Sequence, residues 1–260
     1  MTDWQTYPIS QLRQLFQEKQ LPDTAWQQLE ADPRKGVQLL VCQHQHLQEK
    51  RAELRQAFQD RTKWEQPYWQ AGQIVAGVDE VGRGPLAGPV VTAAVIWPAE
   101  AVVLGINDSK QLSVRQREKL YPQIVAQAID VSIGVGSPQL IDRENIYHAT
   151  ELTMRQAVQH LRIQPDHLLV DAMRIPVDLP QTRLIKGDAQ SIPIGAASIV
   201  AKVYRDHLMA DYDQVYPGYG LAQNAGYGTK IHLEHLQAVG PCPLHRQSFA
   251  PVGKARQSLG

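Results

Sequence analysis

The chain predicts an α/β fold: one mixed five-stranded sheet flanked by helices, preceded by a helical N-terminal appendage. Three observations predict it. Residues 1 to about 70 carry helical periodicity and no strand-like alternation. Five short apolar runs follow, at 74–78, 90–96, 131–135, 167–170 and 182–185. The first two adjoin across a Gly/Pro-rich turn, whereas the later ones alternate with helical segments, a pattern that combines antiparallel and parallel pairing.

In the appendage, Ser10 is placed to cap a short helix with Leu12, Leu15 and Phe16 on one face. Asp32-Pro33 opens a second, long helix to about residue 65. Its stripe is Leu40, Leu47 and Leu54 at heptad spacing, continued by Phe58. Nine basic residues in 1–70 are matched by nine acidic ones, so the segment is no polybasic arm. Tyr68, Trp69 and Gly72 mark the join to the main domain, and removing 1–70 is expected to weaken substrate binding without abolishing chemistry. Beyond the join, Ser113 reads as the N-cap of a helix to about 128. Further helices are predicted over about 144–161, 194–213 and 229–239, with a helical segment at the C-terminus.

Bulk properties narrow the function classes. The 260 residues are 43% hydrophobic with a formal net charge of zero, which argues against a basic nucleic-acid coat but allows a local basic groove. The tail is such a locality: no Asp or Glu follows Glu234, yet Arg246, Lys254 and Arg256 do. Cys42 and Cys242 match no zinc or redox spacing, which suits a reducing compartment. The N-terminus lacks the pattern of a signal peptide, and no apolar run approaches the roughly 20 residues that span a bilayer. A cytoplasmic protein without membrane contact is expected, with monomer as the default state.

The chemistry concentrates where strands end. Asp79 and Glu80 close the first strand, Asp171 the fourth, and Asp188 follows the fifth. Neighbouring strand residues face opposite sides, so Asp79 and Glu80 can share a site only where the strand ends or bulges. Taken singly, Asp171 and Asp188 read equally well as loop caps; repetition at three strand ends sets the group apart. Acids at the carboxyl ends of α/β strands converge on one crevice. Packed together they repel, which raises their pKa values or calls for cations. An all-oxygen set favours Mg²⁺ or Mn²⁺ over Zn²⁺. Two such ions roughly 4 Å apart can activate a water and stabilise the leaving oxygen of a phosphodiester.

The motifs GVDEVGRGPLAGPVV (77–91), NDSKQLS (107–113), IDRENIYHAT (141–150), LLVDAM (168–173), IKGDAQSIPIGAASIVAKVYRD (185–206), GYGTKIHLEHL (226–236) and HRQSFAPV (245–252) stand in the order found in ribonuclease HII. From about residue 74 to 252 the chain resembles that family. The resemblance implies a ribonuclease H-like fold and Mn²⁺- or Mg²⁺-dependent hydrolysis of the RNA strand in RNA/DNA hybrids. It also implies incision at single ribonucleotides in duplex DNA, leaving 3′-hydroxyl and 5′-phosphate ends. Its four catalytic, metal-binding acids fall on Asp79, Glu80, Asp171 and Asp188. Its Gly-Arg-Gly turn falls on Gly82, Arg83 and Gly84, and its ribonucleotide-sensing tyrosine on Tyr227, which by its residues alone reads as an exposed loop aromatic. Gly195 and Tyr204 depart from the usual residues and read as helix-packing changes.

Lys110, Lys186, Lys202, Arg205 and Lys230 lie in matching motifs and read equally as phosphate contacts or solvated charges. His232 and His235 share a helical face, but with no third ligand in reach of the pattern they read as structural or solvent-facing. Two rivals differ in class or specificity. A junction resolvase of the same fold would have no use for the Tyr227 and Gly82–Gly84 features, and a non-catalytic hybrid binder would repel phosphate by keeping four acids.

Overall fold

The computed structural model describes residues 2–259, with side chains through Ala255; the side chain of Arg256, counted above in the basic tail, lies outside the described residues. The chain divides into two compact units, Met1–Ala57 and Phe58–Gly260.

The first unit is helical. Helix α1 (Ile9–Gln17), α2 (Asp23–Leu29) and the first part of α3 (Lys35–Asp60) enclose a small core of Leu12, Trp26, Leu29, Val37, Leu40 and Val41. Asp32 caps the entry to α3, accepting the Arg34 amide at 2.9 Å and pairing with its guanidinium. The helix is shorter at both ends than its pattern suggests, and its stripe is not uniformly buried. Leu40 and Phe58 are covered, whereas Leu47 is 54% exposed and Leu54 37%. Heptad spacing states which residues share a face; burial needs a partner along the whole face.

In the second unit, a short helix α4 (Gln66–Gln70) precedes strand β1 (Val75–Val81). Strand β2 (Val90–Ile96) returns antiparallel to β1, and β3 (Asp130–Gly136) pairs antiparallel with β2. Strands β4 (His167–Asp171) and β5 (Gln181–Leu184) add in parallel, giving the order β3-β2-β1-β4-β5. Between β2 and β3 lies α5 (Val114–Gln127), whose start is fixed by a capping box of Ser113 and Gln116. The helix expected over 144–161 is α7 (Ile146–Gln159), preceded by a short helix that the pattern does not predict, α6 (Pro138–Glu144). Asn145 breaks them at φ 63° and caps the second through its side-chain oxygen. After β5 comes the longest helix of this unit, α8 (Ile192–Val215), then α9 (Leu221–Asn224), α10 (Lys230–Val239) and α11 (Ala250–Leu259).

The central strands alternate between two cores. Val91, Ala93 and Val95 of β2 pack with α8, while Ala94 and Ile96 pack with Met154, Ala157 and Val158 of α7. Both sides being covered explains why these strands are apolar throughout rather than alternating. On β1, Gly77 permits the start of α8 to approach: a Cβ there would strike the backbone of Pro193 and Ile194. That approach brings the first turn of α8, and the Gly187–Ala189 turn before it, against the strand ends. Among the described residues, no helix is long and apolar enough to cross a membrane.

Candidate active site

Strand β1 keeps its antiparallel register with β2 through Val81↔Val91, but its parallel register with β4 stops at Val78↔Val170. Asp79 and Glu80 therefore stand where the sheet opens beside β1. Residues of their parity on β1 and β4 serve different cores: Val75 and Leu169 pack with Ile194 of α8, whereas Ala76, Val78 and Val170 pack with α7. By that parity Asp79 and Asp171 belong to the α8 face and Glu80 to the other. The opening lets Glu80 reach around, so that oxygens of Asp79, Glu80 and Asp171 all lie within 4.8 Å of one another. No bulge is needed; the strand simply loses its neighbour on one side.

The cluster is crowded and dry. Burial holds the Asp79 carboxyl well above the ordinary range, and the charges of Glu80 and Asp171 push it further in the same direction. Burial also raises Glu80, against the pull of Arg83, whose Nη1 sits 3.4 Å from Glu80 Oε1. Burial raises Asp171 too, opposed by the Gly187 amide donating to its Oδ1 at 2.6 Å. Glu80 Oε2 is buried with no hydrogen-bond partner. Three convergent carboxylates, one with an orphaned oxygen, fit divalent cations: hard oxygen donors of high charge density that lack only a positive charge.

Asp188 lies outside that tight trio, on the Gly187–Ala189 turn. Burial, then Asp108 and Asp171, raise its pKa to about 6. Asp108 thus enters the acidic cluster unannounced by any strand-end signal. It arrives on the loop before α5, where it caps Lys110 at 2.9 Å. Burial alone would lower Lys110, but the surrounding acids, Asp79 first, raise it, so it stands as a cation among carboxylates. Arg117 holds this loop by donating to the carbonyls of Ser109 at 2.9 Å and Leu112 at 2.6 Å.

The glycine turn after β1 rests on two arginines. Arg246 is fully buried and donates to the carbonyls of Gly82 (2.5 Å), Arg83 (2.8 Å) and Gly88 (3.0 and 2.9 Å). Arg205, equally buried, donates to Pro89 (2.9 Å), Ala225 (2.9 Å) and Ala87 (3.3 Å). Burial lowers the two pKa values, to about 9 and about 10, and both remain cations at neutral pH. Gly82 takes φ +88°, and a Cβ there would strike the Arg205 guanidinium, so only glycine fits over this floor. Sequence reading allowed Arg205 to be a surface charge; it is a structural donor under the site. No run of neighbouring residues marks that role, because its partners lie 116 and 118 positions away.

Tyr227 is 48% exposed and stands beside the same turn: a Cβ on Gly84 would lie 3.5 Å from its ring. Its carbonyl is held from below by a relay. The hydrogen-bond network assigns Cys242 N–H donating to His245 Nδ1 (3.0 Å) and His245 Nε2–H to His232 Nε2 (3.0 Å). His232 Nδ1–H in turn donates to the Tyr227 carbonyl (2.9 Å). That arrangement requires both imidazoles neutral, and burial lowers both, His245 to about 4. His232 is thus structural, one of the two roles its sequence pattern allowed, and its partner His245 comes from a motif 13 residues on. Of the other lysines, Lys202 pairs with Asp206 at 2.6 Å and Lys230 with Glu234 at 3.7 Å. Lys186 takes the left-handed conformation ahead of the Gly187–Ala189 turn.

Comparison with known proteins agrees with this architecture. The family model described as ribonuclease HII matches residues 76–252, and that of the ribonuclease HII N-terminal domain matches residues 8–69. The chain is 58% identical over 251 residues to a ribonuclease HII of Levilactobacillus brevis, covering 96% of this chain and 98% of the relative. With that of Lactobacillus gasseri it shares 53% over 246 residues, 95% and 98% of the two chains. The crystal structure of ribonuclease H2 from Pyrococcus horikoshii superposes with a TM-score of 0.62 at 27% identity, covering 71% of this chain and 98% of that one. With a mixed sheet of this topology, an acidic cluster at its opening and relatives matched along nearly their whole length, the chain belongs to the ribonuclease HII family of metal-dependent endonucleases.

Proposed function

We propose that the protein hydrolyses the RNA strand of RNA/DNA hybrids and incises 5′ of single ribonucleotides in duplex DNA, by two-metal-ion catalysis that leaves 3′-hydroxyl and 5′-phosphate ends. The observation that carries this reading is the convergence of Asp79, Glu80 and Asp171 oxygens within 4.8 Å, beside a turn and a tyrosine suited to a sugar. Asp79, Glu80 and Asp171 would hold Mg²⁺ or Mn²⁺, with Asp188 completing the acidic set, and the ions would supply an activated water and charge stabilisation at the leaving oxygen.

The remaining residues bind and orient. Arg83, partly exposed and only loosely paired with Glu80, takes a substrate phosphate. Backbone at Gly82 and Gly84 approaches the ribose closely, and the Tyr227 hydroxyl and ring read the 2′-hydroxyl that separates RNA from DNA. Lys110 offsets part of the carboxylate charge before and during substrate entry. Residues 1–70 form the helical extension and 71–260 the catalytic domain, in a cytoplasmic monomer.

A labelled DNA duplex with one ribonucleotide, beside an all-DNA control, tests the reading. With Mg²⁺ or Mn²⁺ the first is cut 5′ of the ribonucleotide and the second is untouched; chelator stops the cutting. Asp79→Asn is expected to bind the duplex and not cut it. Equal cutting of both duplexes, or full cleavage by Asp79→Asn, overturns the proposal.

A further inference from the structure

Two side chains just ahead of the sheet reach the acidic site from behind, in a stretch that carries none of the motifs above. Arg61 donates through Nε to the Ala189 carbonyl at 3.1 Å and through Nη1 to the Ile106 carbonyl at 2.9 Å. Ala189 ends the turn that carries Asp188, and Ile106 directly precedes the loop that carries Asp108 and Lys110. One planar guanidinium therefore ties together the two loops whose charges meet at the cluster. Four residues on, Glu65 is fully buried. Its Oε1 accepts the Ser191 hydroxyl at 2.6 Å and the Ile192 amide at 2.8 Å. Ser191 in turn caps α8, so Glu65 fixes the point where the Asp188 turn becomes helix.

We propose that Arg61 and Glu65 are positioning residues for the metal centre, holding the Asp188 turn and the Asn107–Lys110 loop in place against the strand ends. This rests on the reading that Asp188 belongs to that centre. The alternative is a purely structural bond between the turn that joins α3 to α4 and the rest of the second unit. Against it stands the choice of partners: Arg61 binds the Asp188 turn and the residue before the Asn107–Lys110 loop, Glu65 binds the first residues of α8 directly after that turn, and none of the four contacts falls on a strand. The cost of the arrangement is also high for mere adhesion. Burial pushes the Glu65 carboxyl up to about 7, and its Oε2 and the Trp64 indole nitrogen are buried without hydrogen-bond partners. Asp188 is carried by a backbone turn that Arg61 binds at Ala189 and that passes into α8 at the Ser191 cap held by Glu65.

Full-length Arg61→Ala, Glu65→Ala, Glu65→Gln, Arg61→Lys and Asp188→Asn test the idea. The readouts are kcat and KM on a ribonucleotide-containing duplex, and Mn²⁺ binding measured by calorimetry without substrate, all below the melting range of each variant. Since displacement by an ångström costs up to about a hundredfold, Arg61→Ala and Glu65→Ala are each expected to lose about tenfold or more in kcat and in Mn²⁺ affinity, with KM within about twofold. Glu65→Gln restores both, because the amide oxygen accepts the same two hydrogen bonds. Alanine variants that melt lower yet keep wild-type kcat and Mn²⁺ affinity, while Asp188→Asn is inactive, overturn the proposal and leave the site reading intact. If an alanine variant does not fold, Arg61→Lys decides: it reaches one carbonyl, and wild-type values of both readouts refute positioning. Wild-type activity in Asp188→Asn overturns the site reading and this proposal with it.

Discussion

Replacing Arg246 by Met tests how the Gly82–Gly88 turn is held. The substitution keeps much of the side-chain volume and removes every donor. Three carbonyls, of Gly82, Arg83 and Gly88, lose four hydrogen bonds from a charged donor. Leaving a buried acceptor unpaired costs about 1–3 kcal/mol, so the gross loss is roughly 3–9 kcal/mol. Two effects reduce it: the variant no longer buries a guanidinium without a carboxylate partner, and a water can enter the polar gap. The expected net destabilisation is about 3–5 kcal/mol, a large part of the stability of an ordinary domain. At about 2–4 °C per kcal/mol for a domain of this size, the melting midpoint falls by roughly 6–20 °C. Thermal unfolding followed by circular dichroism measures it, with Arg246→Lys as an intermediate case. Cleavage below the midpoint falls as well, because Arg83 and the glycines lose their support. A Met variant melting within a degree or two of wild type, with unchanged cleavage, refutes the view that the turn is built on Arg246.

Two further outcomes follow from the electrostatics and from Tyr227. With chelator present, Asp188 binds its proton more tightly folded than unfolded, its pKa rising from 3.8 to about 6, so its contribution to stability is present in acid and lost as pH rises through about 6. The buried histidines, His245 above all, shift downward and act in the opposite sense over an overlapping range. The acid is therefore read as a difference: the stability advantage of Asp188→Asn over wild type grows between about pH 4 and 7, by up to about 3 kcal/mol, and shrinks when Mg²⁺ or Mn²⁺ is added. A difference that stays flat in urea titrations across that range sinks the idea. For Tyr227→Phe, half-exposed and not needed for packing, stability is expected within about 0.5 kcal/mol of wild type. Incision at a single ribonucleotide is expected to slow by about tenfold, the worth of one good hydrogen bond in the transition state. Unchanged incision rates remove the hydroxyl from the sensing role, and His232→Phe, which frees the Tyr227 carbonyl, separates ring placement from hydroxyl contact.

What the amino-acid sequence determined by itself was local or repeated. Apolar runs ending in Asp79-Glu80 and Asp171 announced strand ends bearing acids, while Asp188 stands on the turn beyond β5, and Ser113 announced a helix start, because period and capping act over a few residues. The pairing of an antiparallel hairpin with later parallel strands was legible for the same reason. Only the tertiary structure decided how Glu80 joins acids of the opposite parity, since that depends on β4 falling away from β1 after Val78. It alone brought Asp108 and Lys110 to the cluster, and it buried Arg205 and Arg246 beneath the turn. It also set a separate short helix, α6, ahead of Asn145, and left Leu47 and Leu54 exposed on an otherwise regular stripe. The reason is common to all of these. A charge or an apolar face takes its meaning from the groups that enclose it, and those groups come from parts of the chain a hundred residues away, brought near only by the closing of the sheet.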